Sequence, residues 1–273
     1  MMTDIAGSTG RTAPAYLCAA MLLMLSATGT AVAAGSASAR LELPATSALG
    51  AHTLLGQENG NGVSPAVTSP IDTQPNGSAL IVFNSGYATN DTPPTDSYGN
   101  AWPQLGDTVV YNGYEGQFDI KAYLAMAAHG GPGHTVSIVK EGRPQGEITI
   151  PFIEVTGADV LQDVVQNYPQ TGPEVTSGSV TTTGPATLVA VWWGDGPSLQ
   201  NSAIPNHGFT LIENFVDLPP NSAVQCAVAY RQVAGAGTYD VTWTEAPNQG
   251  AVLWLFAFQG NPGNDVIFRS GFD

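Results

Sequence analysis

Residues 186–193 read ATLVAVWW, an unbroken apolar run between Gly184-Pro185 and the GDG of residues 194–196. A short apolar run held between turn-formers has the length of a buried strand. Its valines and tryptophans favour a pleated, packed surface. The same alternation of short run and breaker extends outward, from about residue 76 to about residue 260. Upstream, strands are predicted at Ala79–Asn84, Asp107–Tyr111, Asp119–Ala127, His134–Lys140 and Glu147–Val155. Downstream they are predicted at Phe209–Asn214, Val224–Val233, Tyr239–Thr244 and Ala251–Gln259. Helical spacing is confined to GADVLQDVVQN at 157–167, through Val160, Leu161, Val164 and Val165. That segment reads either as a turn or two of helix or as another strand. The fold class is all-β: a two-sheet antiparallel sandwich.

The order of elements repeats. SALIVF (78–83), DSYGNAW (96–102), GPGHTVSI (131–138) and ITIPFIEVTG (148–157) are followed by ATLVAVWW, NHGFTLIEN (206–214), GAGTYDVTW (235–243) and GAVLWLFAFQG (250–260). Each set runs strand, Gly- and Asn-bearing loop, long hairpin, closing strand. The expected architecture is jelly-roll-like: two similar four-stranded halves, with interleaved sheets that bury their apolar faces together. The competing reading is a coincidence among generic strands.

Outside that span the character changes. Residues 1–33 read as a cleavable signal peptide, with the apolar run AYLCAAMLLMLSAT (15–28) before the small residues Ala31 and Ala33. That run is shorter than the roughly 20 residues a transmembrane helix needs, and no later stretch reaches that length. Residues 34–75 hold Gly, Ser, Asn and Pro with scattered apolar residues, and read as a low-complexity linker or irregular extension. Residues 261–273 form a C-terminal tail.

Charge narrows the partners. The net charge is −15 with seven Lys and Arg. Loss of the leader removes Asp4 and Arg11, which cancel, and leaves Arg40, Lys121, Lys140, Arg143, Arg231 and Arg269. So few cations cannot neutralise a phosphate backbone, which excludes nucleic acid as a natural partner. An anionic membrane surface is disfavoured on the same ground. Cys226 is the single cysteine after the leader and reads as a buried structural thiol in VQCAVAY.

The residues LVAVWWGDG (188–196), GFTLIEN (208–214), QCAVAYR (225–231), GTYDVTW (237–243) and GAVLWLFAFQ (250–259) resemble an uncharacterised group of secreted bacterial β-sandwich domains. That pattern recurs as an accessory module on exported and phage-associated surface proteins. The resemblance covers roughly residues 76–260 and implies the fold and export rather than an activity. The tail NDVIFRSGFD also resembles endings seen on exported proteins of Gram-negative soil bacteria, which implies a sorting tag. Docking of Phe268 and Phe272 onto the sandwich is the alternative.

Catalytic templates are missing: no G-x-S-x-G elbow, H-E-x-x-H, P-loop or dinucleotide fingerprint. His129 and His134 bracket a Gly-rich turn, and the plain hairpin is the stronger reading there. Asp91, Asp96 and Asn100 lie in NDTPPTDSYGN, where a turn outweighs a calcium loop. No cofactor is expected, with calcium the one candidate. Glu147 and Glu154 stand seven residues apart on one strand, roughly 23 Å at strand rise, too far to share one glycosidic bond.

Trp192, Trp193 and Asp195 are the best binding constellation. The two indoles alternate faces, so one is core. An exposed Trp193 beside Asp195 would stack a sugar ring while the carboxylate accepts its hydroxyl hydrogens. Asn206 and His207 would line the same loop end. The stronger reading buries both tryptophans and makes GDG a turn. The functional expectation is a secreted, non-enzymatic binding or surface module for a carbohydrate or cell-envelope ligand, located outside the cell, in the periplasm or on the cell surface. A structural or assembly subunit is the first alternative. A hydrolase with an unrecognised carboxylate pair is the second.

Overall fold

A computed structural model describes residues 46–86, 92–111, 118–195, 202–217, 224–248 and 250–260. The leader 1–33, the start of the extension, Asp91 and the tail 261–273 lie outside the described residues. Val, Ile, Thr and aromatic side chains carry the chain into β structure throughout the described residues.

The first half forms β1 (Ala48–Gln57), β2 (Ala66–Val67), β3 (Asn76–Gly86), β4 (Thr95–Asp96), β5 (Gln104–Val110), β6 (Asp119–His129), β7 (Val136–Ile138) and β8 (Ile148–Thr156). The second half forms β9 (Val160–Thr171), β10 (Val175–Thr176), β11 (Val180–Thr182), β12 (Ala186–Asp195), β13 (Ile204–Pro205), β14 (Thr210–Phe215), β15 (Val224–Val233), β16 (Gly237–Tyr239), β17 (Thr242–Thr244) and β18 (Gly250–Gln259). Two large sheets have five strands each, in the orders β1-β8-β3-β6-β5 and β14-β15-β12-β18-β9. Three-stranded sheets run β2-β7-β4 and β10-β17-β13, and β11 pairs with β16. Every ladder is antiparallel.

The all-β antiparallel sandwich is therefore the architecture. Its sheets differ from the expected interleaved four-stranded pair. Each large sheet has five strands, and each draws on one half of the chain alone. Along the chain the strands pass between the large sheets and the smaller ones. The expected irregular extension also ends earlier than residue 75. Ala48–Gln57 pairs with β8, from Ala48 opposite Thr156 to Gln57 opposite Ile148. All ten residues of β1 are half-buried, so the strand lacks the in–out alternation that marks a strand in sequence. Gly157–Asn167 resolves as strand, within β9.

Three apolar layers hold the sheets. Between the large sheets lie Ile81 and Phe83 of β3, Ile120 of β6, Ile153 of β8, Val191 and Trp193 of β12, Cys226 of β15, and Trp254 and Phe256 of β18. Phe83 meets Trp254 edge-on, with ring centroids 5.0 Å apart. The opposite face of the first sheet packs Val82, Ile150 and Phe152 on Ala66, Val136 and Ile138 of the small sheet. The opposite face of the second packs Leu188, Trp192 and Leu255 on Val175 and Trp243. A large buried side chain contributes about 1.5–3 kcal/mol in such a layer. Cys226 is fully buried in the central layer, and burial pushes its thiol far above the ordinary range, so it is inert. Among the described residues no helix is long and apolar enough to cross a membrane.

Candidate functional site

The central strand β12 fixes the fate of the expected aromatic site. Trp192 and Trp193 are 0% and 1% exposed. Both faces of a central strand are covered here, one by the other large sheet and one by the small sheet. Trp193 points into the central layer, where its Nε1 donates to Thr149 Oγ1 at 3.1 Å and Tyr111 stands edge-on at 5.0 Å. Trp192 points the other way, into the layer with Trp243. No indole of this pair is available to a sugar: the reading that buries both tryptophans holds, and the alternative that places Trp193 in a binding site is corrected.

Asp195 ends β12 at the far side of the sheet from residue 207. Its backbone is tied to the Tyr111 hydroxyl, which also donates to Gly250 O at 2.7 Å. Burial raises its carboxyl to about 6. Leu188 pairs with Arg231 and Asp195 with Val224. Asp195 thus stands roughly 23 Å along the strand from the Arg231 end. The predicted residues therefore separate, with Trp193 in the core, Asp195 at one end, and Asn206 and His207 at the other.

Asn206 follows β13 and locks its loop to β17. Its Oδ1 accepts from Thr242 N at 2.8 Å, while its own N–H donates to Thr242 O at 2.9 Å. The chain then turns through His207 (φ 53°) and Gly208 (φ 77°), both left-handed. His207 is not glycine, so its conformation is strained and must be held by its surroundings. Asp240 supplies one restraint, its Oδ1 lying 2.6 Å from His207 Nδ1.

Around this pair lies an open depression of about 560 Å³, lined by His207, Gly208, Arg231, Thr238, Tyr239 and Asp240. Arg231 projects from β15 and lies over the Tyr239 ring, 5.2 Å from its centroid. Sequence reasoning found His207 and missed Arg231, Tyr239 and Asp240. The available signal was the scarcity of cations, which made any Arg on a strand worth weighing. The loop between β4 and β5 is closed instead by the segment that precedes β7. There Tyr98 lies 4.7 Å from the His134 ring and donates its hydroxyl to Pro132 O.

Other chemically suggestive groups are absorbed into the fold. Thr73 Oγ1 lies 2.9 Å from His134 Nδ1, and His134 Nε2 lies 3.5 Å from Asp96 Oδ1. That is the order hydroxyl, imidazole, carboxylate, but all three side chains are buried, and burial lowers the His134 pKa. Asp96 also accepts from Tyr98 N, Asn100 N and Trp102 Nε1, as a turn-holding carboxylate does. His129, expected in the same hairpin, is exposed and bonds Asn76 Oδ1. Glu154 is buried and accepts from Ala51 N, Gln74 N and Ser78 Oγ. Glu213 is held by His52 at 2.7 Å. Among the described residues no group of three or more His, Cys, Asp or Glu is placed to hold a metal ion. Comparison with known proteins finds no family model, no curated protein and no solved structure that matches this chain.

Proposed function

We propose that this chain is a secreted, non-enzymatic binding module for a carbohydrate or cell-envelope ligand, and that the His207–Arg231–Tyr239–Asp240 depression takes the ligand. The leader-like residues 1–33 and the cation-poor composition support export. The observation that carries the binding reading is the depression itself. It offers an aromatic ring, a guanidinium and a linked imidazole–carboxylate pair in one open place. Saccharides are held by that combination of ring surface and convergent hydroxyl-bonding groups. Of the carboxylates considered for hydrolysis, Glu154 is engaged within the fold by three donors.

The assembly reading would use the sheet edges. β1 and β5 end one large sheet and β14 and β9 the other, and all four edge ladders are broken by register shifts, Leu49/His52, Leu105/Val109, Leu211/Glu213 and two on the β9 ladder. Irregular edges of this kind discourage pairing with another chain, which favours the binding module. The test is a glycan and cell-envelope binding screen with the purified protein, alongside His207→Ala and Tyr239→Ala. Binding weakened by both substitutions supports the site. Binding indifferent to both moves the site elsewhere, and no binding to any surface component sinks the reading.

A further inference from the structure

We infer that the depression selects a saccharide carrying a carboxylate, a uronic-acid residue, and that Arg231 determines that selectivity; this rests on the carbohydrate reading above. Arg231 is one of seven Lys and Arg in a chain of net charge −15. In such an acidic protein a guanidinium would ordinarily be claimed by a neighbouring carboxylate. Among the described residues it is not. The carboxylate that shares its depression, Asp240, is committed to His207 at 2.6 Å. What holds Arg231 is the Tyr239 ring at 5.2 Å.

That mode of holding has a chemical consequence. The Tyr239 ring offers the guanidinium a π surface and no acceptor oxygen. Among the described residues no hydrogen bond or ion pair engages the Arg231 guanidinium, so its N–H donors are open to a ligand. Two of those donors match the two oxygens of a carboxylate. Residue 208 borders the guanidinium without a side chain. A first side-chain carbon there would sit 3.5 Å from Arg231 Nε, against the guanidinium, but the position is glycine at φ 77°. Thr238 and the His207–Asp240 pair line the same depression and suit sugar hydroxyls. A neutral sugar would cover the guanidinium and leave it without an acceptor, and that penalty is the source of discrimination.

Galacturonate, glucuronate and mannuronate oligomers are titrated against the purified protein, each beside its methyl ester. At least one acid form should bind about tenfold or more tightly than its ester, the scale of a charge-assisted bidentate contact. Arg231→Gln should erase the difference, and Arg143→Gln, which removes an exposed guanidinium elsewhere, should preserve it. Thermal melts show whether each variant is folded. If Arg231→Gln does not fold, the acid-to-ester ratio of the unaltered protein decides by itself. Acid and ester binding equally would overturn this inference and leave the carbohydrate reading intact. If neither these oligomers nor neutral glycans bind, the carbohydrate reading falls and takes this inference with it.

Discussion

His52 Nδ1 lies 2.7 Å from Glu213 Oε1, and the contact joins β1 of one large sheet to β14 of the other. The side chains are 28% and 23% exposed, so water screens the pair only in part. A hydrogen bond in that setting is worth about 0.5–1.5 kcal/mol. His52→Ala, Glu213→Ala and the double variant should show a coupling of about 1 kcal/mol in urea denaturation. Strictly additive losses would mean that the contact contributes nothing to holding the sheets together.

Asp195 should make the fold less stable as pH rises. Its carboxyl is raised by burial to about 6, against 3.8 ordinarily. Between those values the folded state binds more proton than the unfolded state. Stability is therefore highest below pH 3.8 on this account and falls up to about pH 6. Asp195→Asn should remove that fall and stabilise the protein by roughly 1 kcal/mol at pH 7, a figure discounted for partial solvent access. Denaturation midpoints of both proteins at pH 4 and pH 7 test it.

Lys140 should act in the alkaline range. It is 3% exposed, and its Nζ donates to Gln57 Oε1 at 2.8 Å and Gly146 O at 2.7 Å. Burial pulls its pKa from 10.5 to about 8. Across that window the unfolded chain holds the proton more often, so stability rises with pH. Lys140→Met should abolish that rise while lowering overall stability through the lost hydrogen bonds. A parallel pH dependence in the variant would refute the assignment.

Trp193→Ala should report on folding rather than on ligand. The indole fills the central layer against Tyr111 and donates to Thr149. Emptying such a site costs about 3–5 kcal/mol. Chemical denaturation should show that loss, and the fraction that remains folded should bind any ligand with unchanged affinity. A selective loss of affinity in a fully folded Trp193→Ala protein would return the indole to the binding surface.

The interior strands were legible in sequence because burial on both faces leaves an unbroken apolar run, as in β12 and β18. Their partners at the margins were not. β1 is half-buried along its whole length and carries Gly50, Gly56 and His52, so neither period-2 alternation nor a continuous run announces it. β9 mixes Gln, Asp and Asn with valine and imitates a helical spacing. Two-residue strands such as β2, β4, β10 and β13 are shorter than any sequence period and exist only through their pairing. The site was legible only at Asn206 and His207. Arg231 and Asp240 come to His207 through strand pairings that no local pattern encodes. The sequence favoured burial of both tryptophans without deciding it for Trp193, because it shows which faces a strand has, but not whether a second layer covers each of them.

The strand orders bear on how the chain is made. β8 lies between β1 and β3, and β18 lies between β9 and β12. The last strand synthesised in each half is therefore an interior strand. Until Ile148–Thr156 emerges, β1 has no partner and β3 keeps one open side; β9 and β12 wait in the same way for Gly250–Gln259. Long apolar edges stay unsatisfied during that interval and invite wrong pairing. A chain shortened before Gly250 would keep most of its residues yet leave a gap in the middle of a sheet. Its fate would be aggregation rather than a smaller folded protein.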